Sequence, residues 1–517
     1  MIPRRMNSQK TTVLLCALFF ALSAAASPKP DAPDAATAAR IQRIENGIAP
    51  ISLGPGEAPL QINLEKLMEV YKVPGFSVAV VDNFKIAWAK AYGVTEAGGH
   101  TPVTVHTLFQ AGSISKPVAA TGTLYLVEHG KLSLDENVND KLKSWKVPDN
   151  EFTKDQKVTL RRIMSHSAGL TVHGFPGYEV GKPVPTLVQV LNGEPPANTA
   201  PVRVEFVPGS KQNYSGGGVT IEQLLVTDVT GEPFPEFMRK TVLAKIGMNE
   251  STYEQPIPAA WASRTASGTR GDGTVVPGKW HIYPEMAAAG LWTTPTDLAK
   301  WGIEIALSKQ GNANHVLSES MTKQMLTPQS EEAGLGPFLK QGGNPDAFGH
   351  NGADEGFQAE LVTFADTGKG AVMMMNSDNG LSMSSFLGPA IAKEYGWNFD
   401  SHPGAFDVLW LVANVRDTAA MIKKYEEMKQ SSPKELDENV LLQIAYRLLF
   451  AGKTDEALRV FKLQVRDYPN YWNSYDSIGE AYMKAGQRDL AIQNYEKSIE
   501  LNPKNQNGID MLKKLKQ

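Results

Sequence analysis

Two stretches near the C-terminus of this 517-residue chain repeat each other at a fixed offset of 34 residues. Leu441-x-x-Ile444-Ala445-x-x-Leu448, Ala457-x-x-x-Phe461 and Pro469 return as Tyr475-x-x-Ile478-Gly479-x-x-Tyr482, Ala491-x-x-x-Tyr495 and Pro503. Apolar residues spaced by three and four fall on one face of a helix. Each unit therefore reads as two helices, brought close by small residues, with a proline ending the second. Such a unit cannot bury its apolar face alone. The C-terminal part must be a helical stack that leans on something else.

The pattern resembles the tetratricopeptide repeat, with clear copies at 438–471 and 472–505 inside a region spanning 405–517. Phe406 to Ser432 reads as a degenerate preceding helix pair, with Met421, Tyr425 and Pro433 in register. Gly508 to Lys516 reads as a capping helix. Two good copies are marginal by themselves, so the array is expected to rest on that preceding pair or on the rest of the chain.

The N-terminus reads differently. Arg4, Arg5 and Lys10 precede an apolar run that ends in Ala24-Ala25-Ala26, the pattern of a cleaved secretory signal over residues 1–26. An Ala/Pro/Asp-rich leader is expected over 27–38. No second long apolar segment follows, so a periplasmic or secreted protein without a transmembrane anchor is expected once the signal is removed. Cys16 is the single cysteine and lies in the signal, which leaves no internal disulfide and no thiolate metal site in the mature chain. The formal charge of −4 and the lack of a basic patch give no footprint for nucleic acid.

Residues 39–400 hold the remaining domain. Strand-like runs at Gly75–Val81 and Lys85–Tyr92 flank Asp82-Asn83, and others recur at Phe348–His350, Gln358–Phe364 and Gly370–Met375. The Gly/Pro-rich stretch from Gly174 to Pro201 reads as the rim of a pocket. A helix from Ser384 to Tyr395 closes the domain. Strands at both ends with helices between them imply an α+β fold, with one sheet assembled from the two ends around a helical insert.

The chemistry concentrates at Ser113-Ile-Ser-Lys116-Pro117. A serine hydroxyl attacks a carbonyl only when a base lies beside it. Residues three apart share a helix face, so Lys116 can reach Ser113, and Pro117 puts the helix start close by. The tetrapeptide recurs at Ser320–Lys323 and Ser431–Lys434 without a catalytic setting. Only Ser113 is followed by Tyr214-Ser-Gly216, in a glycine-rich polar turn, and then by Gly349-His350-Asn351-Gly352-Ala353. That last motif precedes an alternating run that reads as an edge strand, where Gly352 would let a substrate approach the backbone.

Taken together, these motifs resemble the serine β-lactamase-like family, which includes class C β-lactamases, D-alanyl-D-alanine carboxypeptidases, penicillin-binding proteins, D-aminopeptidases and family VIII esterases. The likeness spans roughly residues 60–400. It extends to Val73-Pro-Gly-Phe-Ser77, Ser165-His166-Ser-Ala-Gly-Leu170 and Ala289-Gly-Leu-Trp292-Thr-Thr-Pro-Thr-Asp-Leu298. The resemblance implies a β-lactamase/transpeptidase-like fold, an antiparallel sheet with flanking helices. It implies Ser113 as the acylated nucleophile, Lys116 as its proton acceptor or relay, and Tyr214 as general base or as acid for the leaving group. His350 stands where many relatives carry a lysine. Backbone N–H groups of Ser113 and Ala353 would hold the oxyanion, with Asn351 and Gly352 beside the substrate. His166 and Trp292 read as structural. No metal or organic cofactor is implied, because Ser, Lys and Tyr supply nucleophile and proton transfer.

Two departures shape the expectation. Gly216 replaces the asparagine that usually ends the middle motif, which removes the amide that holds an acyl-side amide of the substrate. His350 is a cation only when protonated near pH 6.5, so carboxylate recognition should be weak and pH-dependent. An exported serine hydrolase acting on a small-molecule ester, a peptide or a peptidoglycan-like D-amino-acid amide is expected, rather than an efficient β-lactamase. The competing reading is a degenerate hydrolase that serves as a protein-binding module through its repeats. Those repeats read equally as a partner site or as a stabilising cap.

Overall fold

The computed structural model describes Met1, residues 33–53 and residues 57–517. The expected signal peptide lies outside the described residues. Among those described, no helix is long and apolar enough to cross a membrane. Helix α1 (Ala35–Asn46) starts four residues inside the expected leader. Asp34 explains the early start: its carboxylate accepts from the Thr37 amide at 2.8 Å and caps the helix.

The centre of the molecule is a six-stranded antiparallel sheet. Its strands are β1 (Gly75–Asp82), β2 (Lys85–Gly93), β3 (Phe338–Leu339), β4 (Ala347–Asp354), β5 (Phe357–Phe364) and β6 (Lys369–Met375). They lie in the order β2-β1-β6-β5-β4-β3, so the N-terminal hairpin joins the C-terminal meander through β1 and β6. Asn83 and Phe84 both take positive φ in the turn between β1 and β2, which suits a tight hairpin. The alternation of β1 sends Ala79 and Val81 to one face and Val78 and Val80 to the other, and both faces are buried.

The helical insert covers the first face. It includes α3 (Ser115–Glu128), α4 (Gly216–Thr230) and α5 (Pro295–Lys309), while α2 (Leu64–Val70) precedes the sheet. Helices α1, α2 and α6 (Gly380–Tyr395) cover the second face. The arrangement is the expected α+β fold, helices packed on both sides of one antiparallel sheet.

One strand assignment needs correcting. The His350-Asn351-Gly352 motif lies within β4 itself, and the following run, β5, is internal between β4 and β6. The edge is the motif's own strand, because β3 pairs only with Phe348 and Gly349 and leaves β4 beyond them uncovered.

The C-terminal helices are α7 (Ala405–Val415), α8 (Thr418–Ser431), α9 (Glu438–Phe450), α10 (Thr454–Asp467), α11 (Trp472–Lys484), α12 (Arg488–Leu501) and α13 (Gln506–Lys516). Three helix pairs and a terminal helix follow the sequence pattern. A Cβ at Gly479 would meet the Tyr495 ring at 3.2 Å, so the small residue there sets how closely α11 and α12 pack. Gly452 and Gly486 supply matching left-handed turns inside the two repeats, with φ of 76° and 70°.

The array shares a core with the sheet. Buried apolar residues run without a break from Phe76 and Met375 on the sheet, through Phe386 and Leu409, to Tyr495 in α12. The Tyr71 hydroxyl donates to the Asp407 carbonyl at 2.8 Å. Arg447 of α9 lies over Phe406 and Trp410 and donates to Asn379 at 2.9 Å. Leu409, Leu411, Val412, Met421 and Tyr425 are all buried, and each large apolar side chain is worth roughly 1.5–3 kcal/mol. A chain ending at residue 400 is therefore expected to aggregate or to melt many degrees below the full chain. Soluble yield and thermal melting of the two proteins check this, and an equally stable fragment would contradict a shared core.

Candidate active site

Ser113 sits in a single 3₁₀ turn, Gly112–Ile114, that leads directly into α3. Lys116 is one turn on and only 4% exposed. Its Nζ donates to Ser113 Oγ at 2.8 Å and to the Ala288 carbonyl at 2.8 Å. It also stands 5.0 Å from the centroid of the Tyr214 ring. Three distant segments thus meet at one amine. The other two Ser-x-x-Lys tetrapeptides lie on the surface, with Lys323 paired to Glu319 and Ser431 bonded to the Glu427 carbonyl.

Tyr214 precedes α4, whose N-cap is Ser215; that hydroxyl accepts from the Gly218 amide at 2.9 Å. Aromatic rings surround the phenol. Ring centroids of His166, His173 and His350 lie 4.3, 4.8 and 5.9 Å from that of Tyr214, and Phe338 stacks at 6.1 Å. The Tyr214 hydroxyl is buried without a hydrogen-bond partner among the described residues. A buried hydroxyl in that state is costly unless a ligand or water completes it.

Strand β4 brings the third motif against the catalytic turn. A Cβ at Gly352 would lie 1.9 Å from the Ala111 carbonyl and 3.3 Å from the Ser113 amide, and one at Gly112 would lie 2.4 Å from the Ala353 amide. Backbone touches backbone here, so both positions require glycine. The contact places the Ser113 and Ala353 amides on facing segments, where two donors can converge on an oxyanion. Alternation along β4 buries His350, Gly352 and Asp354 and leaves Asn351 and Ala353 exposed. The Asn351 side chain is therefore not brought into the cluster. Its carbonyl is, at 2.5 Å from His350 Nδ1.

His350 does not behave as the sequence suggested. Burial, helped by the nearby Lys116 charge, pushes its pKa down to about 3. Nδ1–H donates to the Asn351 carbonyl, which leaves Nε2 as a buried, unpartnered acceptor. The expectation of a carboxylate-binding cation near pH 6.5 is thus corrected: desolvation keeps this ring neutral. His166 is also held well below the usual histidine value, by burial and then by Lys116. Its Nδ1 accepts from the Ser215 amide at 3.3 Å, so it positions the tyrosine turn while its ring packs on the phenol. Trp292 is fully buried in the core, as a structural residue should be.

Several residues of the site carried little or no signal. His173, Phe175 and Phe338 come from loops or a two-residue strand without a motif. Glu222 did carry one, a lone acid inside the apolar run Val219–Val226. It is 1% exposed and accepts from Thr123 Oγ1 at 2.7 Å. Burial raises its pKa to about 7, against the lowering effects of the Thr123 bond and the Lys116 charge. Asp354 and Glu285 are likewise buried, and burial pushes both upward, Glu285 to about 8, against the lowering effects of Lys116 and the Gly112 amide on Asp354 and of the Tyr178 hydroxyl on Glu285.

Comparison with known proteins now decides the family. Residues 60–395 match the β-lactamase family model, and residues 473–505 match a tetratricopeptide repeat. This chain belongs to the β-lactamase family. Its relatives include an unguisins hydrolase of Aspergillus violaceofuscus, 24% identical over 372 residues that cover 62% of each chain. A β-lactamase of Pseudomonas fluorescens is 29% identical over 193 residues, 37% of this chain and 49% of that one. The chain thus spans between about half and three-fifths of these two relatives' lengths. Among solved structures, the octameric penicillin-binding protein homologue from Pyrococcus abyssi superposes with a TM-score of 0.52 at 22% identity, covering 65% of this chain and 76% of that one. The penicillin-binding protein of Bacillus halodurans gives 0.51 at 23% identity, covering 65% and 99%. The fold is that of penicillin-binding proteins and β-lactamases.

Two outcomes follow for this β-lactamase-family site. Glu222 has a folded pKa above its unfolded value, so the native state is penalised as pH rises from about 4.5 to about 7 and the penalty stays constant above that. Glu222→Gln should therefore raise the melting temperature at pH 8 more than at pH 4, which thermal melts at both pH values will read. His350 is neutral above about pH 3. For two esters differing only by a carboxylate, the KM ratio should stay flat from pH 8 to pH 5. A rise in preference for the carboxylate centred near pH 6.5 would show that His350 titrates after all.

Proposed function

We propose that this protein is an exported hydrolase that cleaves an ester or a D-amino-acid amide through an acyl-enzyme on Ser113. The observation that carries the proposal is the 2.8 Å contact between Lys116 Nζ and Ser113 Oγ, with the Tyr214 ring beside the same amine. Ser113 Oγ attacks the carbonyl and its proton passes to the Lys116–Tyr214 pair. The Ser113 and Ala353 amides receive the oxyanion, and fixed donors of this kind are commonly worth ~3 kcal/mol each. The same pair returns the proton to the leaving group, and water then releases the acyl group by the reverse sequence. Either Lys116 or Tyr214 can act as the base in this scheme.

An ester or simple amide is favoured over a β-lactam for two reasons. The acyl-side amide has no side chain to meet it at Gly216, and the buried, neutral His350 offers no charge to a carboxylate. Export rests on the signal-like first 26 residues. A protein partner on the repeats is a second, compatible role, supported by Phe450, which is 70% exposed at the end of α9.

A serine-directed phosphonate should label the wild type at Ser113 and leave Ser113→Ala unlabelled, as read by intact mass. Tyr214→Phe should lower ester turnover by about 10²–10⁴-fold with the fold retained. Equal labelling of both proteins, or near-normal turnover of a folded Tyr214→Phe protein, would overturn this mechanism.

A further inference from the structure

The loop from Thr171 to Gly177 is laced to the start of α4. Gly216 N donates to the His173 carbonyl at 3.0 Å, Gly217 N to the Val172 carbonyl at 3.0 Å, and Ser215 Oγ to the Thr171 carbonyl at 2.8 Å. The far side of the loop is pinned as well. His281 Nδ1 lies 2.8 Å from the Pro176 carbonyl, and Asn198 donates to the Gly177 carbonyl at 2.8 Å. A Cβ on Gly177 would meet the Tyr283 ring at 2.6 Å. Phe175 is thus held between two fixed ends. Its ring edge stands where a side chain at position 216 would grow: a Cβ built there meets Phe175 Cε2 at 3.0 Å and the His173 carbonyl at 3.1 Å. The missing asparagine amide has left no hole. An aromatic edge fills the place.

We propose that Phe175 and Gly216 act as a pair that sets acyl-group specificity, selecting acyl groups that present hydrocarbon, and rejecting those that carry an amide, beside the reacting carbonyl. The inference rests on the acyl-enzyme reading above and narrows its substrate class. Phe175 is half-buried, so part of it stays accessible, and the neighbouring His173 ring lies on Tyr214. An acyl chain entering beside Tyr214 meets these rings. An amide at the same point would lose its water and find no side-chain partner on Gly216, which disfavours it. The two positions are coupled sterically. With Phe175 in place, a side chain at position 216 requires the ring edge and the His173 carbonyl each to yield by a few tenths of an ångström, and the bonds on both sides of the Thr171–Gly177 loop oppose that shift.

The test compares two p-nitrophenyl esters with a common leaving group, one with a phenylacetyl acyl group and one with an N-acetyl-D-alanyl group. Wild type is expected to favour the phenylacetyl ester in kcat/KM by ~10-fold or more. Phe175→Ala/Gly216→Asn should reduce that ratio by ~10-fold or invert it. Gly216→Asn alone should lose turnover on both esters, because the new side chain meets the intact ring. Phe175→Leu, which keeps apolar bulk and guards against a folding failure, should retain the wild-type order. Phosphonate labelling of Ser113 is measured in every variant. An unchanged ratio in a labelled double variant, or a wild type that prefers the N-acetyl-D-alanyl ester, overturns the pair while leaving the acyl-enzyme intact. No labelling of wild type overturns the acyl-enzyme and the pair with it.

Discussion

The buried Lys116 amine is the point on which the rest of the site depends. An ammonium out of water is expensive unless donors and acceptors around it are fixed in advance. Here the Ser113 hydroxyl and the Ala288 carbonyl accept from it, and the π-face of Tyr214 covers it. Among the described residues no carboxylate bonds to it directly, and the two neutral acceptors hold the amine against the Ser113 oxygen without a competing ion pair. Its charge still reaches outward: it helps keep His350 and His166 neutral and works against the burial that would protonate Glu222 and Asp354. Burial sets the direction of each of these shifts, and the Lys116 charge reinforces it at the two histidines and opposes it at the two acids.

The second constraint is steric. The catalytic turn and strand β4 approach backbone to backbone, through Gly112 and Gly352, at distances that admit no side chain. That contact puts the Ser113 and Ala353 amides on facing segments, and it explains why the motif residues belong to an edge. A strand paired along its full length could not also press against the Ser113 turn. The short β3, stopping at Gly349, leaves that edge free.

These two constraints also mark how far the sequence could be read. Ser113, Lys116, Tyr214 and His350 were legible because each sits in a local motif, and local motifs survive without knowledge of the fold. Strands β1, β2, β5 and β6 were legible from their apolar runs, and the repeat helices from their period. What escaped depended on long-range packing. The neutral state of His350 follows from burial that no pattern around residue 350 announces. Phe175 meets Gly216 across forty residues of chain, and nothing near Phe175 distinguishes it from any loop aromatic. The helix at Ala35 was hidden by leader-like composition, although Asp34 and Thr37 already spelled a cap. Asn351 was grouped with its neighbours by position alone, and the two-residue period of a strand separates it from them.

The repeats are joined to the scaffold that carries β4. β4 passes into β5 through Glu355 and Gly356. Gly356 donates to Asp378 at 2.7 Å, and its carbonyl accepts from the Thr269 amide at 3.1 Å. The adjacent Asn379 bonds to the Gly271 carbonyl at 3.0 Å on one side and to Arg447 of the array at 2.9 Å on the other. Arg447 is half-buried, and that burial lowers its pKa, with Asp407 opposing the shift. A helical stack that only tethered a partner would need no such bonds. In this chain α7 packs on α2, one of the helices over the second face of the sheet, and Arg447 ties the array to Asn379, next to the Asp378 that holds the turn between β4 and β5.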